Sequence, residues 1–305
     1  MSKWNALQKL LTDRDYRTIK LAKAGFYNHM DDRKYLEKIY KARMGRPLNL
    51  EDPQLFSEKL QWLKLYDRNP LYTQLVDKYR VREYIAEKIG EEYLIPLLGV
   101  WDDPDDIDFD ALPDQFVLKC NHNSGTGMCI CRDKSKLDYK AVRKELKKGL
   151  REDFYLRHRE WPYKDIPRKI ICEQYIADSI DANGLTDYKF FCFNGYVESV
   201  MLCIDRHLGD VKFYFLDSQW KLLKHNKRGL EAPEGFAPQK PQCMDEMFAL
   251  AAQLSDGLPA VRVDLYESNG QIYFGEMTLY PSGGFDPNLL PSTDEHFGQL
   301  IKLEK

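Results

Sequence analysis

The chain has 305 residues, 43% hydrophobic and 30% charged, which excludes intrinsic disorder as its main state and leaves room for one large or two modest domains. Its 45 Lys and Arg against 48 Asp and Glu give a formal charge of −3, so no global basic field draws it to nucleic acid or anionic lipid. Seven Cys form no C-x-x-C pair, residues 1–11 lack the apolar core of a signal peptide, and the longest apolar run, residues 93–100, is too short to span a bilayer; the expectation is a reduced, soluble, cytoplasmic protein without stable membrane insertion.

In chain order, the first third reads as helical. Asp32–Met44 puts Tyr35, Leu36, Ile39 and Tyr40 on one face and stops at Gly45 with Pro47 behind it. Asp52-Pro53 predicts a second start, with Asp52 as N-cap and Pro53 in the first turn, a face of Phe56, Leu60 and Leu63, and an end before Asn69-Pro70. A third helix is expected from about Val76-Asp77 to Gly90.

From Tyr93 the pattern changes. Residues 93–100 read as a short buried strand or linker, followed by an acidic turn over 101–110. Phe116–Cys120 and Met128–Cys131 are strands flanking residues 121–127, and Tyr139–Leu150 is a helix. A charged, aromatic loop over 151–168 precedes a strand over 169–176. Residues 188–193 and Tyr196–Ile204 flank Asn194-Gly195, a two-residue hairpin signal, and 211–216 with 220–223 form another hairpin. A helix over 244–254 then leads to strands 260–267 and Gln271–Thr278 around Ser268-Asn269-Gly270. The fold class is α+β: helices first, then antiparallel sheet carrying helices.

Four segments can hold chemistry. Lys119 ends an apolar strand before Asn121-His122-Asn123-Ser124-Gly125-Thr126-Gly127. Such a lysine needs a counter-charge or must snorkel, and successive small residues let backbone N–H groups converge on an anion. By itself, a tight hairpin with a solvent-facing lysine also explains the stretch, which matches neither common glycine fingerprint. Glu173 interrupts the apolar strand after Ile170, either to accept hydrogen bonds from ribose hydroxyls or as a residue on a wet face. Asp187 and Lys189 share a strand face by the period of two, which offers a cation to a phosphate or a simple ion pair.

The last hairpin is the most informative. A three-residue loop pairs Glu267 with Gln271, sets Arg262 opposite Glu276 and Asp264 opposite Phe274, and brings all three polar side chains to one face, with diagonal Cα atoms about 7–8 Å apart. A two-residue loop shifts the register by one and sends Glu276 to the other face. Two converging carboxylates are hard ligands for Mg²⁺, which takes substrate phosphates and water as well; an Arg–Asp/Glu ladder on an exposed hairpin is the plainer alternative. Leu279-Tyr280-Pro281-Ser282-Gly283-Gly284 follows, either holding a substrate carboxylate or turning the chain.

Taken in order, these segments resemble the ATP-grasp superfamily, and most closely its TupA-like branch, named for teichuronopeptide biosynthesis. The signature stretches are Lys119-Cys120-Asn121-His122, Glu160-Trp161-Pro162-Tyr163, Asp187-Tyr188-Lys189 with Phe193-Asn194-Gly195, and Arg262-Val263-Asp264 with Gly275-Glu276-Met277-Thr278. The resemblance implies an N-terminal helical region over 1–70 and an ATP-grasp domain over 71–305, with a nucleotide subdomain about 95–170 and a metal-bearing sheet about 171–305. It implies Lys119 on the nucleotide phosphates, Ser124, Gly125, Thr126 and Gly127 as the loop over them, and Glu173 with the backbone of Tyr175 and Ile176 as the adenosine hinge, joined by Asp187. Asp264, Glu276 and Thr278 become the Mg²⁺ ligands, and Arg262 and Lys189 the catalytic cations. Many ATP-grasp enzymes carry Asn where Thr278 stands, which leaves the second Mg²⁺ open. Glu160, Trp161, Ser282 and Gly283 fall to the substrate.

The implied reaction is ATP- and Mg²⁺-dependent ligation of a carboxylate to an amine, joining an amino acid and a uronic acid of a cell-surface polysaccharide. Association with other enzymes of that synthesis is a further expectation. The rival is a metal-dependent glycosyltransferase using Asp102-Asp103-Pro104-Asp105, which reads better as a solvated acidic turn. A non-catalytic carbohydrate-binding protein is a third reading, and it leaves Asp264 and Glu276 without purpose.

Overall fold

A computed structural model describes residues 3–176, 186–204 and 211–303 of the chain. The order begins with helices α1 (Lys3–Thr12), α2 (Arg14–Lys23), α3 (Asp32–Met44), α4 (Phe56–Tyr66), α5 (Leu71–Val76) and α6 (Val81–Lys88). Strands β1 (Leu97–Trp101), β2 (Phe116–Cys120) and β3 (Met128–Cys131), helices α7 (Tyr139–Leu150) and α8 (Tyr155–His158), and strand β4 (Ile170–Gln174) follow. The remainder is β5 (Asp187–Phe193), β6 (Tyr196–Ile204), β7 (Lys212–Leu216), β8 (Leu222–Leu223), α9 (Lys227–Leu230), α10 (Met244–Ser255), β9 (Val261–Ser268), β10 (Gln271–Thr278) and α11 (Pro291–Leu300).

The described strands form two antiparallel sheets, a small one ordered β1-β4-β2-β3 and a larger one ordered β10-β9-β5-β6-β7-β8. Helix α7 covers one face of the small sheet, where Val142 and Leu146 pack against Phe116, Leu118 and Cys172. The period of two sends Val117, Lys119, Ile171 and Glu173 to the face away from α7. The larger sheet is covered by α10 on one face, with Phe248 edge-on to Phe190 at 5.1 Å. On the other face, α4 and α11 cover part of the sheet through Phe56 and Phe297, whose ring centroids are 5.4 Å apart, with Phe191 5.5 Å from Phe297. This leaves the β9–β10 end of that face open. All seven cysteines are free thiols, and among the described residues no helix is long and apolar enough to cross a membrane.

Several expectations are corrected. Helix α4 starts at Phe56, three residues after Pro53, because the Glu58 carboxylate accepts from the Gln54 and Leu55 N–H groups (3.1 and 3.2 Å) and takes over the capping expected of Asp52. Val76-Asp77 ends one helix instead of opening another: the Asp77 carboxylate accepts from the N–H of Tyr79 (2.9 Å) and breaks the run into α5 and α6. The strand expected over 93–100 is β1 alone, preceded by a 3₁₀ turn over Glu91–Tyr93. The loop over 151–168 contains α8, and α11 has no counterpart in the sequence reading.

The hairpin register is also corrected. Asn269 (φ 55°) and Gly270 (φ 81°) make a two-residue turn, so Ser268 pairs with Gln271 and Leu265, not Asp264, faces Phe274. A β-bulge at Gly275 then shifts the pairing by one, setting Asp264 directly opposite Glu276 and Arg262 opposite Thr278.

Candidate active site

The bulge decides the chemistry of this end of the sheet. The two one-residue displacements add to one full side-chain period of two, so Arg262, Asp264, Glu276 and Thr278 share the open face with Lys189, which pairs with Asp264 across β5 and β9. The Arg262 guanidinium donates to both oxygens of Asp264 (2.6 and 2.7 Å), to Glu276 Oε1 (3.2 Å) and to Thr278 Oγ1 (3.1 Å). Lys189 Nζ bonds Asp264 and lies 2.6 Å from Asp187 Oδ2. The Asp264 side chain is 1% exposed whereas that of Glu276 is 35% exposed, so Glu276 is the carboxylate with free capacity.

Burial pushes Asp264 up to about 6, against the pull of Arg262 and Lys189. Burial also works against the Glu276 carboxylate, yet Lys78, Arg262, Lys189 and Lys119 together hold its carboxyl below the ordinary range. Two of those cations, Lys78 and Lys119, come from outside the hairpin's own sheet.

On the small sheet, Lys119 Nζ meets Glu173 Oε2 at 2.6 Å, the counter-charge its strand position required, and Arg82 lies 3.7 Å from the same carboxylate. Lys78 Nζ donates to the Asn123 carbonyl (2.6 Å); burial lowers its pKa, while Glu276 and Glu173 oppose that shift. Sequence reasoning missed Lys78 and Arg82. The available signal was a cluster of cations at the start of α6, where the helix dipole disfavours them. Flanking Lys119 on that face, Met128 and Ile130 of β3 are half-exposed apolar side chains, directly opposite Lys119 and Val117.

The small-residue loop is anchored at both ends. Asn121 Nδ2 donates to Asp77 Oδ1 (2.8 Å), Gly127 packs tightly on Gly149, and between them Ser124 and Gly125 are exposed. Arg157 reaches over to donate to the Ser124 carbonyl (3.2 Å) and Thr126 Oγ1 (3.1 Å). His122 is 1% exposed, with Nε2 3.1 Å from the Glu152 carbonyl and no partner at Nδ1. Burial lowers its pKa to about 4.

The unfolded chain therefore takes up the His122 proton first, and folding stability falls as pH drops from 6.5 towards 4. The loss is about 3 kcal/mol once both states are protonated. We expect the melting temperature of His122→Gln to fall less over that window than the wild type's; parallel curves would place the acid sensitivity elsewhere.

A cleft of about 970 Å³ opens at Arg262, Glu276 and Thr278 and runs past Ser282 and Gly283, Glu160 and Tyr163 to the N-terminal helices. Its floor is pinned by Lys64, 1% exposed, which donates to the carbonyls of Gly283 (2.6 Å) and His158 (3.0 Å) and to Gln61 Oε1 (2.9 Å). Glu160 faces His158 Nδ1 at 3.4 Å. Trp161 lies outside the cleft lining, under Arg68 (5.1 Å) and beside Tyr72 (6.1 Å). Tyr175 lines a separate hollow with Gln174 and Arg132. The acidic turn stands apart: Asp102 pairs with Lys169 and Asp105 with Lys147, each at 2.6 Å, and neither lines the cleft.

Asp264 and Glu276 offer carboxylate oxygens and Thr278 a hydroxyl, all hard donors that fit Mg²⁺. Among the described residues no cluster of three or more His, Cys, Asp or Glu forms a protein-only metal cage. A Mg²⁺ ion here therefore needs phosphate oxygens and water to complete its shell, as Mg²⁺ commonly does.

A family model described as TupA-like ATPgrasp matches residues 58–302. No curated protein matches the sequence. Among solved structures, the D-alanine–D-alanine ligase of Bacillus anthracis complexed with ATP is similar at 14% identity and a TM-score of 0.43, over 74% of this chain and 62% of that one. D-alanyl-alanine synthetase A of Vibrio cholerae is similar at 12% identity and a TM-score of 0.46, over 80% and 70%. The ATP-grasp ligase PsnB with its minimal precursor, Mg and ADP is similar at 11% identity and a TM-score of 0.36, over 86% and 66%. At such identities and scores the likeness carries no functional inference.

Proposed function

Because the chain belongs to the TupA-like ATP-grasp family, we propose that it is an ATP- and Mg²⁺-dependent carboxylate–amine ligase that binds the nucleotide between its two sheets. The observation that carries the reading is the facing pair Asp264 and Glu276 set beside Arg262 and Lys189, with Lys78 and Lys119 among the cations that hold the Glu276 carboxyl low. On this reading Lys119 and Lys78 take nucleotide phosphates, Ser124 to Gly127 close over them, and Met128 and Ile130 offer an apolar platform to the base. Glu173, the backbone of Tyr175 and Ile176, and Asp187 hold the nucleoside. Asp264, Glu276 and Thr278 would hold Mg²⁺, which neutralises charge on the triphosphate when bound.

In the proposed reaction a substrate carboxylate oxygen attacks the γ-phosphorus and ADP departs. An amine then attacks the acyl carbon and loses a proton, and inorganic phosphate leaves behind an amide. The chain's own work is positioning, charge compensation by Arg262 and Lys189, and exclusion of water, so no nucleophilic side chain is needed. Ser282 and Gly283 line the cleft beside Arg262 and Glu276, where the carboxylate would lie. Its volume and aromatic lining suit a sugar acid of a cell-surface polysaccharide, joined to an amino acid. The division into residues 1–70, about 95–170 and about 171–305 belongs to the same proposal.

Lys119→Met tests it. Glu173 keeps Arg82 at 3.7 Å, so the fold is expected to hold within a few degrees, while affinity for ATP–Mg²⁺ falls roughly 10–100-fold on loss of a charge-assisted contact. Unchanged affinity in an equilibrium titration argues against the phosphate assignment. A melting temperature raised by a UDP-sugar and not by ATP–Mg²⁺ would favour glycosyl transfer instead.

A further inference from the structure

The family match begins at residue 58, yet the wall of the cleft facing the hairpin is built partly by earlier residues: Ala22 and Lys23 of α2, Asn28, and Tyr35 and Arg43 of α3. Arg43 stands out among them. Its guanidinium lies over the Phe285 ring (5.1 Å) and within 3.2 Å of His158 Nε2. Among the described residues no carboxylate lies within ion-pair distance of it, whereas Arg33 has Glu51, Arg46 has Asp294 and Arg159 has Asp32. A cation drawn partly out of water without a counter-charge is unfavourable, and an anion arriving with a ligand is what compensates it.

The charge distribution points the same way. Residues 1–46 hold 12 Lys and Arg against 5 Asp and Glu, a net +7 in a chain of net −3, so the remainder carries −10. An anionic ligand is therefore steered to the N-terminal side of the molecule, where α2, α3 and residues 286–288 line the cleft. The cleft volume, about 970 Å³, is at the upper end for small-ligand sites, and Tyr35, Tyr163 and Phe285 give it aromatic faces.

We infer that the N-terminal helices form the acceptor-binding wall of this site and that Arg43 receives a carboxylate of an oligomeric sugar acid other than the one that reacts. This rests on the ligase reading and adds to it the polymeric nature of the acceptor and the residue that selects it. Arg43 acts as a specificity residue, because the planar guanidinium grips a carboxylate through two parallel hydrogen bonds.

The test titrates the full chain with tetragalacturonate, with maltotetraose as its neutral counterpart, with tetraglutamate, and with ATP–Mg²⁺. Wild type is expected to bind tetragalacturonate with an affinity that falls as salt rises, and to bind the other two oligomers at least tenfold more weakly. Arg43→Gln is expected to lose at least tenfold in tetragalacturonate affinity and to keep its ATP–Mg²⁺ affinity. Arg43→Lys, which restores charge without the fork, is expected to recover part of the loss. Equal uronate binding by wild type and Arg43→Gln, no uronate binding by wild type, or tetraglutamate or maltotetraose bound as tightly would overturn the assignment. Failure of the wild type to bind ATP–Mg²⁺ sinks the ligase reading, and the uronate arm still decides the role of Arg43.

Discussion

Glu276→Gln is expected to lower ADP release by roughly 10²–10³-fold, the scale of removing one electrostatic contact made at developing charge, while the melting temperature stays within about 2 °C. The Glu276 side chain is 35% exposed and its contacts are Arg262 Nη2 at 3.2 Å and the Thr278 hydroxyl at 3.3 Å. Gln keeps an acceptor oxygen for both and removes only the charge. Asp264 makes a poorer test: at 1% exposure, between Lys189 and Arg262, its replacement by Asn leaves Lys189 with Asp187 alone and Arg262 with Glu276 alone, and costs about 3 kcal/mol before any catalysis is measured. The measurement pairs a coupled ADP assay, run over a panel of amino acids and uronic acids, with ATP titrations with and without Mg²⁺. Turnover retained by Glu276→Gln, or affinity for ATP that ignores Mg²⁺ in both proteins, removes the metal from this hairpin.

Local signals carried most of the fold, because their physics is local. Asn194-Gly195 and Asn269-Gly270 adopt the positive φ that tight hairpins require, and helix α7 keeps its expected bounds with Asp138 as N-cap, its side chain accepting from the Ala141 N–H. The misplaced boundaries are those decided at a distance. Asp77 ends a helix because its carboxylate is shared between the Tyr79 N–H and Asn121 of a distant loop, 44 residues on, and nothing near position 77 announces that partner. Likewise Lys78 enters the site only once the loop holding Asn123 is folded beside it. The unmatched helix α11 is held by the Asp294 carboxylate, which accepts from the Ser57 N–H at 2.7 Å, and by Phe297 against Phe56. The facing of the acids was legible only in outcome: the hairpin loop is one residue shorter than expected, and the bulge restores the face. A lone Gly within an apolar strand is a bulge signal, and Gly275 was that signal.

The bulge makes Gly275 the residue on which the site's geometry depends, and Gly275→Val is expected to remove both stability and function. A Cβ at this position would lie 2.7 Å from Tyr266 Cε2 and 3.0 Å from the Asp264 carbonyl oxygen, too close for either to stay in place. Straightening the strand relieves the clash but continues the turn's own register, which pairs Glu276 with Val263 on the fully buried face against α10. The chain must choose between overpacking and burying a carboxylate, so we expect a loss of about 2–4 kcal/mol, seen as a melting temperature lower by roughly 5–10 °C. Mg²⁺-dependent ATP binding should disappear even at temperatures where the variant is folded. Gly270→Ala is the control: its φ of 81° makes the substitution strained, but no atom lies within 4 Å of the added Cβ and the bulge is untouched. That variant should lose about 1 kcal/mol and keep its nucleotide affinity. If both variants bind ATP–Mg²⁺ like the wild type, the acids do not act from this face. If both lose binding in proportion to stability, the bulge has no special part in aiming them.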